Sequence, residues 1–276
     1  MHISYNFRVI PSTELKIPYS DRAFQYGDGL FETMVFQYGK VCYFQDHMYR
    51  LRSGMKAFSF DNLQRLDADL IFQHILQLVQ YNRIEEQATV KIQVWRKEGG
   101  KYSPQSNDFN ILISLRSRPG VTTHHPIHLG ISQTSQVTFS LWSQFKTCNA
   151  LPYILAGIEK QQSPYDDLIL LNQQGYLSEC IASNLYWIKR DCLYTPSIQT
   201  GCVSGIFRKN LLRSLQTHGI PYQEVEEKAE VLHQADHVFT TNVQGIVSVN
   251  KVMQNNYTPL SSSWLAILEN KPGTSG

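Results

Sequence analysis

Four separated stretches of the sequence carry side chains able to do chemistry. Lys146 stands between Phe145 and Thr147, after the apolar residues 139–142, where a partly buried ammonium is reasonable. Burial lowers a lysine pKa and frees the amine to form an imine with a carbonyl. A surface lysine at a strand end would have the same local sequence. Glu179 lies in Gly175-Tyr-Leu-Ser-Glu-Cys-Ile-Ala-Ser-Asn184, between strand-like segments. Beside a pyridine nitrogen, such a carboxylate keeps the ring protonated and electron-withdrawing; a solvated turn glutamate is the plainer reading. Arg50 follows His47 by one helical turn and can grip a phosphate through paired hydrogen bonds, or simply pair with Asp46. In Val203-Ser-Gly-Ile-Phe-Arg208, Gly205 precedes an apolar helix, so the N–H groups of Ile206 and Phe207 can cradle a phosphate, as other helix starts can. Thr240-Thr-Asn-Val243 follows a strand and offers Asn242 and the backbone N–H of Val243 as further donors, or an ordinary turn.

Other motifs are weaker. Tyr26-Gly-Asp-Gly29 is a lone GxG without dinucleotide or P-loop spacing. His124, His125 and His128 lack the helical HExxH spacing, so we expect no metal site. No GxSxG elbow occurs. The 25 basic and 23 acidic residues are nearly balanced and form no basic stripe, which argues against a nucleic-acid partner. Apolar runs are too short to span a bilayer, and the first eleven residues lack the apolar region of a secretory leader. Five cysteines without CxxC spacing suit reduced thiols in the cytoplasm.

These residues need elements to position them. Apolar spacing predicts helices over 47–60 and 66–81, then alternating strands over 89–95 and 109–115 around the polar loop Lys97-Glu-Gly-Gly-Lys-Tyr-Ser-Pro104. Pro119-Gly120 interrupts the pattern, so we place the domain division there, as 1–118 and 119–276. Beyond it the pattern predicts a helix over 151–161, strands over 168–171 and 185–189, a helix after Gly205, and strands over 238–241 and 246–249. The Gly/Ser-rich tail from Lys271 reads as mobile.

In this order the segments resemble the class IV aminotransferases, the fold-type-IV pyridoxal-phosphate enzymes. Asp21-Arg-Ala-Phe-Gln-Tyr-Gly-Asp-Gly-Leu-Phe-Glu-Thr33 is similar to the family's N-terminal signature, and His47-Met-Tyr-Arg-Leu51 to its phosphate-arginine motif. Lys146 matches the Schiff-base lysine, Ser178-Glu-Cys with Ser183-Asn-Leu185 the pyridine-carboxylate segment, and Thr195-Pro196 with Gly205-Ile-Phe-Arg208 the second phosphate loop. The matches run from Asp21 to Val249. The resemblance implies an α/β (α+β) fold of two domains, like that of D-amino-acid aminotransferase. It also implies pyridoxal 5'-phosphate in the cleft between them, Lys146 on the C-terminal domain, and a homodimer. Lys146 would form the imine and shuttle protons, Glu179 would face the ring nitrogen, and Arg50, Ile206, Phe207, Asn242 and Val243 would hold the phosphate.

For the reaction, the resemblance leans towards the family's lyase branch, which splits 4-amino-4-deoxychorismate into p-aminobenzoate and pyruvate on the folate pathway. Thr33 falls where that branch has a proton-relaying threonine and branched-chain transaminases have glycine. Phe207 replaces a threonine typical of transaminases. Against this stand Ala150 in place of an arginine, the shortened Gly99-Gly-Lys-Tyr102 loop, and the transaminase-like Glu32. Transamination of branched-chain or D-amino acids is the alternative, and a non-catalytic cofactor-binding relative a third. Arg96, Lys101 and Tyr102 are the candidates for substrate carboxylates, with an exposed hairpin as the other reading of that loop.

Overall fold

The computed structural model describes residues 1–118 and 125–269. Contacts gather the chain into two compact units, Met1–Thr122 with Phe145–Asn149, and Thr123–Gln144 with Ala150–Gly276. The expected division at 118/119, His124 and the tail from Lys271 lie outside the described residues.

The first unit runs β1 (His2–Tyr5), β2 (Arg8–Pro11), α1 (Arg22–Tyr26), β3 (Gly29–Gln37), β4 (Lys40–Val41), α2 (Phe44–Ala57), α3 (Ala68–Tyr81), β5 (Gln87–Arg96) and β6 (Phe109–Ser117). Its described strands form one antiparallel sheet in the order β2-β1-β6-β5-β3-β4. Alternation along the strands decides its two faces. Leu30, Met34 and Phe36 of β3 register with Val94, Val90 and Ala88 of β5, and these continue to Ile111 and Leu115 of β6. That face packs on Met48, Leu51 and Met55 of α2 and Ile71, Ile75 and Leu78 of α3, whose spacing makes one apolar stripe per helix. The predicted 47–60 helix starts three residues earlier and stops at Ala57; Phe58, which fits the apolar spacing, is its C-cap and packs partly buried against the core.

Residues 145–149 belong to this first unit, which corrects the expectation that Lys146 sits on the C-terminal domain. The cause is strand-like pairing with the start of β3. The Phe31 N–H donates to the Lys146 carbonyl at 2.9 Å, and the Cys148 N–H to the Gly29 carbonyl at 2.8 Å. Gly29 is required there, since a Cβ would meet the Val94 carbonyl oxygen at 2.5 Å.

The second unit contains β7 (Ile127–Val137), α4 (Leu151–Gln161), β8 (Asp167–Asn172), β9 (Leu177–Cys180), β10 (Asn184–Lys189), β11 (Cys192–Pro196), α5 (Ile206–Thr217), β12 (Tyr222–Val225), β13 (His237–Asn242), β14 (Gly245–Val252), β15 (Asn255–Asn256) and α6 (Ser262–Glu269). The order is β12-β11-β10-β13-β14-β7-β8-β9, and β9 returns to β10 through the pair Asn184↔Glu179. Strands β10, β13, β14, β7, β8 and β9 thus close into a ring. Apolar side chains occupy both faces: Leu185 and Trp187 join Leu129, Ile169 and Val238, while Tyr186 and Ile188 pack with Leu211 and Leu215 of α5 and Trp264 of α6. Burial on both sides explains why β10 reads as a continuous apolar run. No helix among the described residues is long and apolar enough to cross a membrane.

Candidate active site

The two faces of β3 carry different chemistry. Phe31 and Thr33 point away from the helices, in register with Gln93 and Lys91 of β5. The Lys146 ammonium lies 5.1 Å from the centroid of the Phe31 ring, and the Lys91 ammonium 5.0 Å from the same centroid. The ring face attracts both cations. Two amines and a hydroxyl therefore share one patch. Lys146 is half-buried and has the Phe31 ring as an apolar neighbour, while Leu141 and Trp142 are 78% and 53% exposed.

On the helix-facing side, Glu32 stands opposite Ile92 and is buried. Arg50 donates from Nε to Glu32 Oε1 at 2.7 Å and from its terminal nitrogen to Oε2 at 2.6 Å; His47 Nδ1 lies 2.7 Å from Oε2. Burial alone would push the Glu32 carboxyl up, but the Arg50 charge and the hydrogen bonds from His47 and Arg50 hold it below the usual range. Sequence spacing offered Asp46 to Arg50 and gave no hint of Glu32, which the guanidinium grips within the core.

Arg96 is not available to a substrate carboxylate, which corrects its expected role. It is buried, donates to Asp28 Oδ2 at 3.0 Å, Asn107 Oδ1 at 2.6 Å and the Phe58 carbonyl at 2.8 Å, and its guanidinium stacks over Phe60. Lys101 and Tyr102 lie on an exposed hairpin closed by the bridge Gly100↔Pro104. Arg22 gathers the carbonyls of Gly99, Gly100 and Lys101 at 3.2, 3.2 and 2.7 Å, fixing the loop from beneath. Lys91 was missed by sequence reasoning. It is the polar position in an alternating strand, and only the β3–β5 register places it opposite Thr33.

In the second unit Glu179 is buried at the seam where β9 meets β10. The Tyr153 hydroxyl donates to its Oε1 at 2.7 Å, and the Val203 N–H to its Oε2 at 3.1 Å. Just beyond Val203, Gly205 opens α5 in an extended conformation, with no side chain capping the helix. The first-turn N–H groups of Ile206 and Phe207 thus have no partner within the helix. A Cβ at Gly205 would lie 2.0 Å from Asn184 Oδ1, and Asn184 also donates to the Val203 carbonyl at 2.9 Å. Asn242 and Val243 occupy the tight β13–β14 turn, where the Asn242 side-chain oxygen accepts from the Gln244 N–H at 2.8 Å.

Residues 29–252 match the model of the amino-transferase class IV family. The chain belongs to this family. It is 28% identical over 250 residues to the aminodeoxychorismate lyase of Vibrio harveyi, covering 88% of this chain and 89% of that protein. It is 25% identical over 258 residues to the D-alanine aminotransferase of Bacillus licheniformis, covering 88% and 84% of the two chains. The fold is also that of the branched-chain aminotransferase from the archaeon Thermoproteus uzoniensis, solved with norvaline. That match has a TM-score of 0.87 at 20% identity, over 98% of this chain and 92% of the other.

Proposed function

We propose that this class IV chain is a pyridoxal-5'-phosphate enzyme that acts as a lyase, splitting 4-amino-4-deoxychorismate into p-aminobenzoate and pyruvate. The side chains fit the cofactor's chemistry. Lys146 offers an amine for its aldehyde, Glu179 a carboxylate for its ring nitrogen, Arg50 a guanidinium for its phosphate, and the uncapped first turn of α5, at Ile206 and Phe207, N–H groups that suit a phosphate too. Asn242 and the Val243 N–H add donors from the β13–β14 turn. Gly205 belongs to that fit, because any larger residue would displace Asn184.

When bound, the cofactor supplies an electron-withdrawing ring. The other steps fall to the chain. Lys146 Nζ would hold the cofactor by its amine and, once free of it, would take a proton from the substrate as general base. Thr33 Oγ1 relays that proton towards the departing enol-ether group. Lys91 Nζ, across the strand pair from Thr33, binds a substrate carboxylate, the task once expected of Arg96. The observation that carries the lyase reading is the placement of Thr33 on the β3 face whose Phe31 ring receives the Lys146 ammonium.

Purified protein loaded with cofactor should release p-aminobenzoate from 4-amino-4-deoxychorismate without any keto acid. Turnover that requires 2-oxoglutarate or pyruvate as acceptor would overturn the lyase reading in favour of branched-chain or D-amino-acid transamination. The buried Glu32–Arg50 pair favours that second reading, since Glu32 is the transaminase-like residue.

We also infer a homodimer. Leu151, Ile154, Leu155 and Ile158 form an exposed apolar stripe along α4, of the kind a second copy would cover. The five cysteines are free thiols, which suits the cytoplasm.

A further inference from the structure

Tyr153 has no place in the roles assigned so far, yet its hydroxyl reaches Glu179. It lies in the first turn of α4 on the face that carries Ala156, packed with Val137 and Leu170. The hydroxyl is 2.7 Å from Glu179 Oε1. Burial pushes the phenol far above its ordinary range, and the adjacent Glu179 charge pushes it further, so it stays protonated and is the donor in this bond.

We propose that Tyr153 is a positioning residue that keeps the proton on the cofactor ring rather than on Glu179. This deepens the reading that Glu179 faces the ring nitrogen and rests on it. A buried carboxylate beside a pyridine has two arrangements: a carboxylate with a protonated ring, or a carboxylic acid with a neutral ring. Low polarity favours the second, because it carries no separated charge. Hydrogen bonds to the ionised oxygens favour the first. Here both carboxylate oxygens accept from neutral donors, Oε1 from Tyr153 and Oε2 from the Val203 N–H. Both bonds weaken Glu179 as a base. Cys202 and Cys180 also feel the Glu179 charge. Burial, and then Glu179, pushes Cys202 up to about 12, and Cys180 is raised by burial and neighbouring carboxylates, so both remain neutral thiols. The Val203 bond belongs to the backbone, whereas the Tyr153 bond belongs to a side chain and can be removed by a single substitution.

The test is nitrogen-15 NMR of the full-length holoenzyme reconstituted with pyridoxal phosphate labelled at the ring nitrogen. Wild type should show a pyridinium shift. Tyr153→Phe keeps the aromatic ring against Ala156 and loses only the donor. It should move the signal towards neutral pyridine, with about a tenfold fall in the ratio of protonated to neutral ring, the effect of losing one hydrogen bond to a charged group. Glu179→Gln should give the neutral shift outright. If Glu179→Gln moves the signal and Tyr153→Phe does not, the role of Tyr153 is overturned while Glu179 keeps its own. If Glu179→Gln leaves the wild-type signal in place, the ring-nitrogen reading fails and the proposal fails with it.

Discussion

Glu32 shares a sheet face with Leu30, Met34, Phe36, Val90, Ile92 and Val94, an apolar company in which an unpaired carboxylate would not survive burial. Its partners are Arg50 and His47, and the pair is mutually dependent. Glu32→Gln removes the carboxylate charge that faces the buried Arg50 and should cost about 3–5 kcal/mol in urea unfolding at neutral pH. Because the folded Glu32 carboxyl is held low, the pair's contribution is full above the ordinary glutamate pKa and is lost as pH falls through the lowered folded value. The variant should therefore show a flatter acid limb. On the opposite face, Lys91→Met should raise KM for a carboxylate substrate by about ten- to a hundredfold with a much smaller change in kcat, as steady-state kinetics would record. At this scale sequence spacing offered Arg50 only the neighbouring Asp46, because Glu32 lies 18 residues away and on another element. Arg96 was misread because its neighbours in sequence form a polar loop, whereas its neighbours in space are Asp28, Asn107 and Phe60.

At the scale of elements, α5 depends on Gly205 for its approach to Asn184. Gly205→Ala forces a Cβ to within 2.0 Å of Asn184 Oδ1 unless the loop shifts. Displaced first-turn N–H groups should weaken pyridoxal phosphate binding by at least about tenfold in a fluorescence titration, with far-ultraviolet helix content unchanged. The β5–β6 hairpin is tied by Asp108, which contacts the Lys97 ammonium and accepts from Arg65 at 2.7 Å. Burial alone would raise its carboxyl, but hydrogen bonds, foremost from Lys97, together with the Arg65 charge hold it at about 2. Its contribution to stability is full above the ordinary aspartate pKa of about 4 and is lost as pH falls towards 2. Asp108→Asn should remove that slope from denaturant midpoints measured across the window. Elements with strong periodicity were readable: α4 occupies 151–161 as the apolar spacing predicts. Residues 139–142 were not, because a short apolar run looks the same whether it is buried or, as here, largely exposed.

At the scale of the whole molecule, the chain crosses back on itself: residues 145–149 leave the second unit to pair with β3 of the first. Sequence order suggested a single cut near residue 118 and could not show a return, since pairing between Lys146 and Phe31 is a contact across more than a hundred residues. The α4 stripe belongs to this scale too. Ile154→Glu places a charge in its middle and should shift sedimentation from dimer towards monomer at micromolar concentration.

The seam of the second sheet has one more implication. Glu179 is the β9 residue that closes the ring on β10. Side chains alternate along a strand, so closure one residue out of step would send this carboxylate to the opposite face. Correct closure of the ring and placement of this carboxylate on its present face are therefore one event. In a refolding experiment, the visible absorbance of captured cofactor should therefore rise no earlier than this β9–β10 pairing forms. Chains that close in the wrong register would stay colourless.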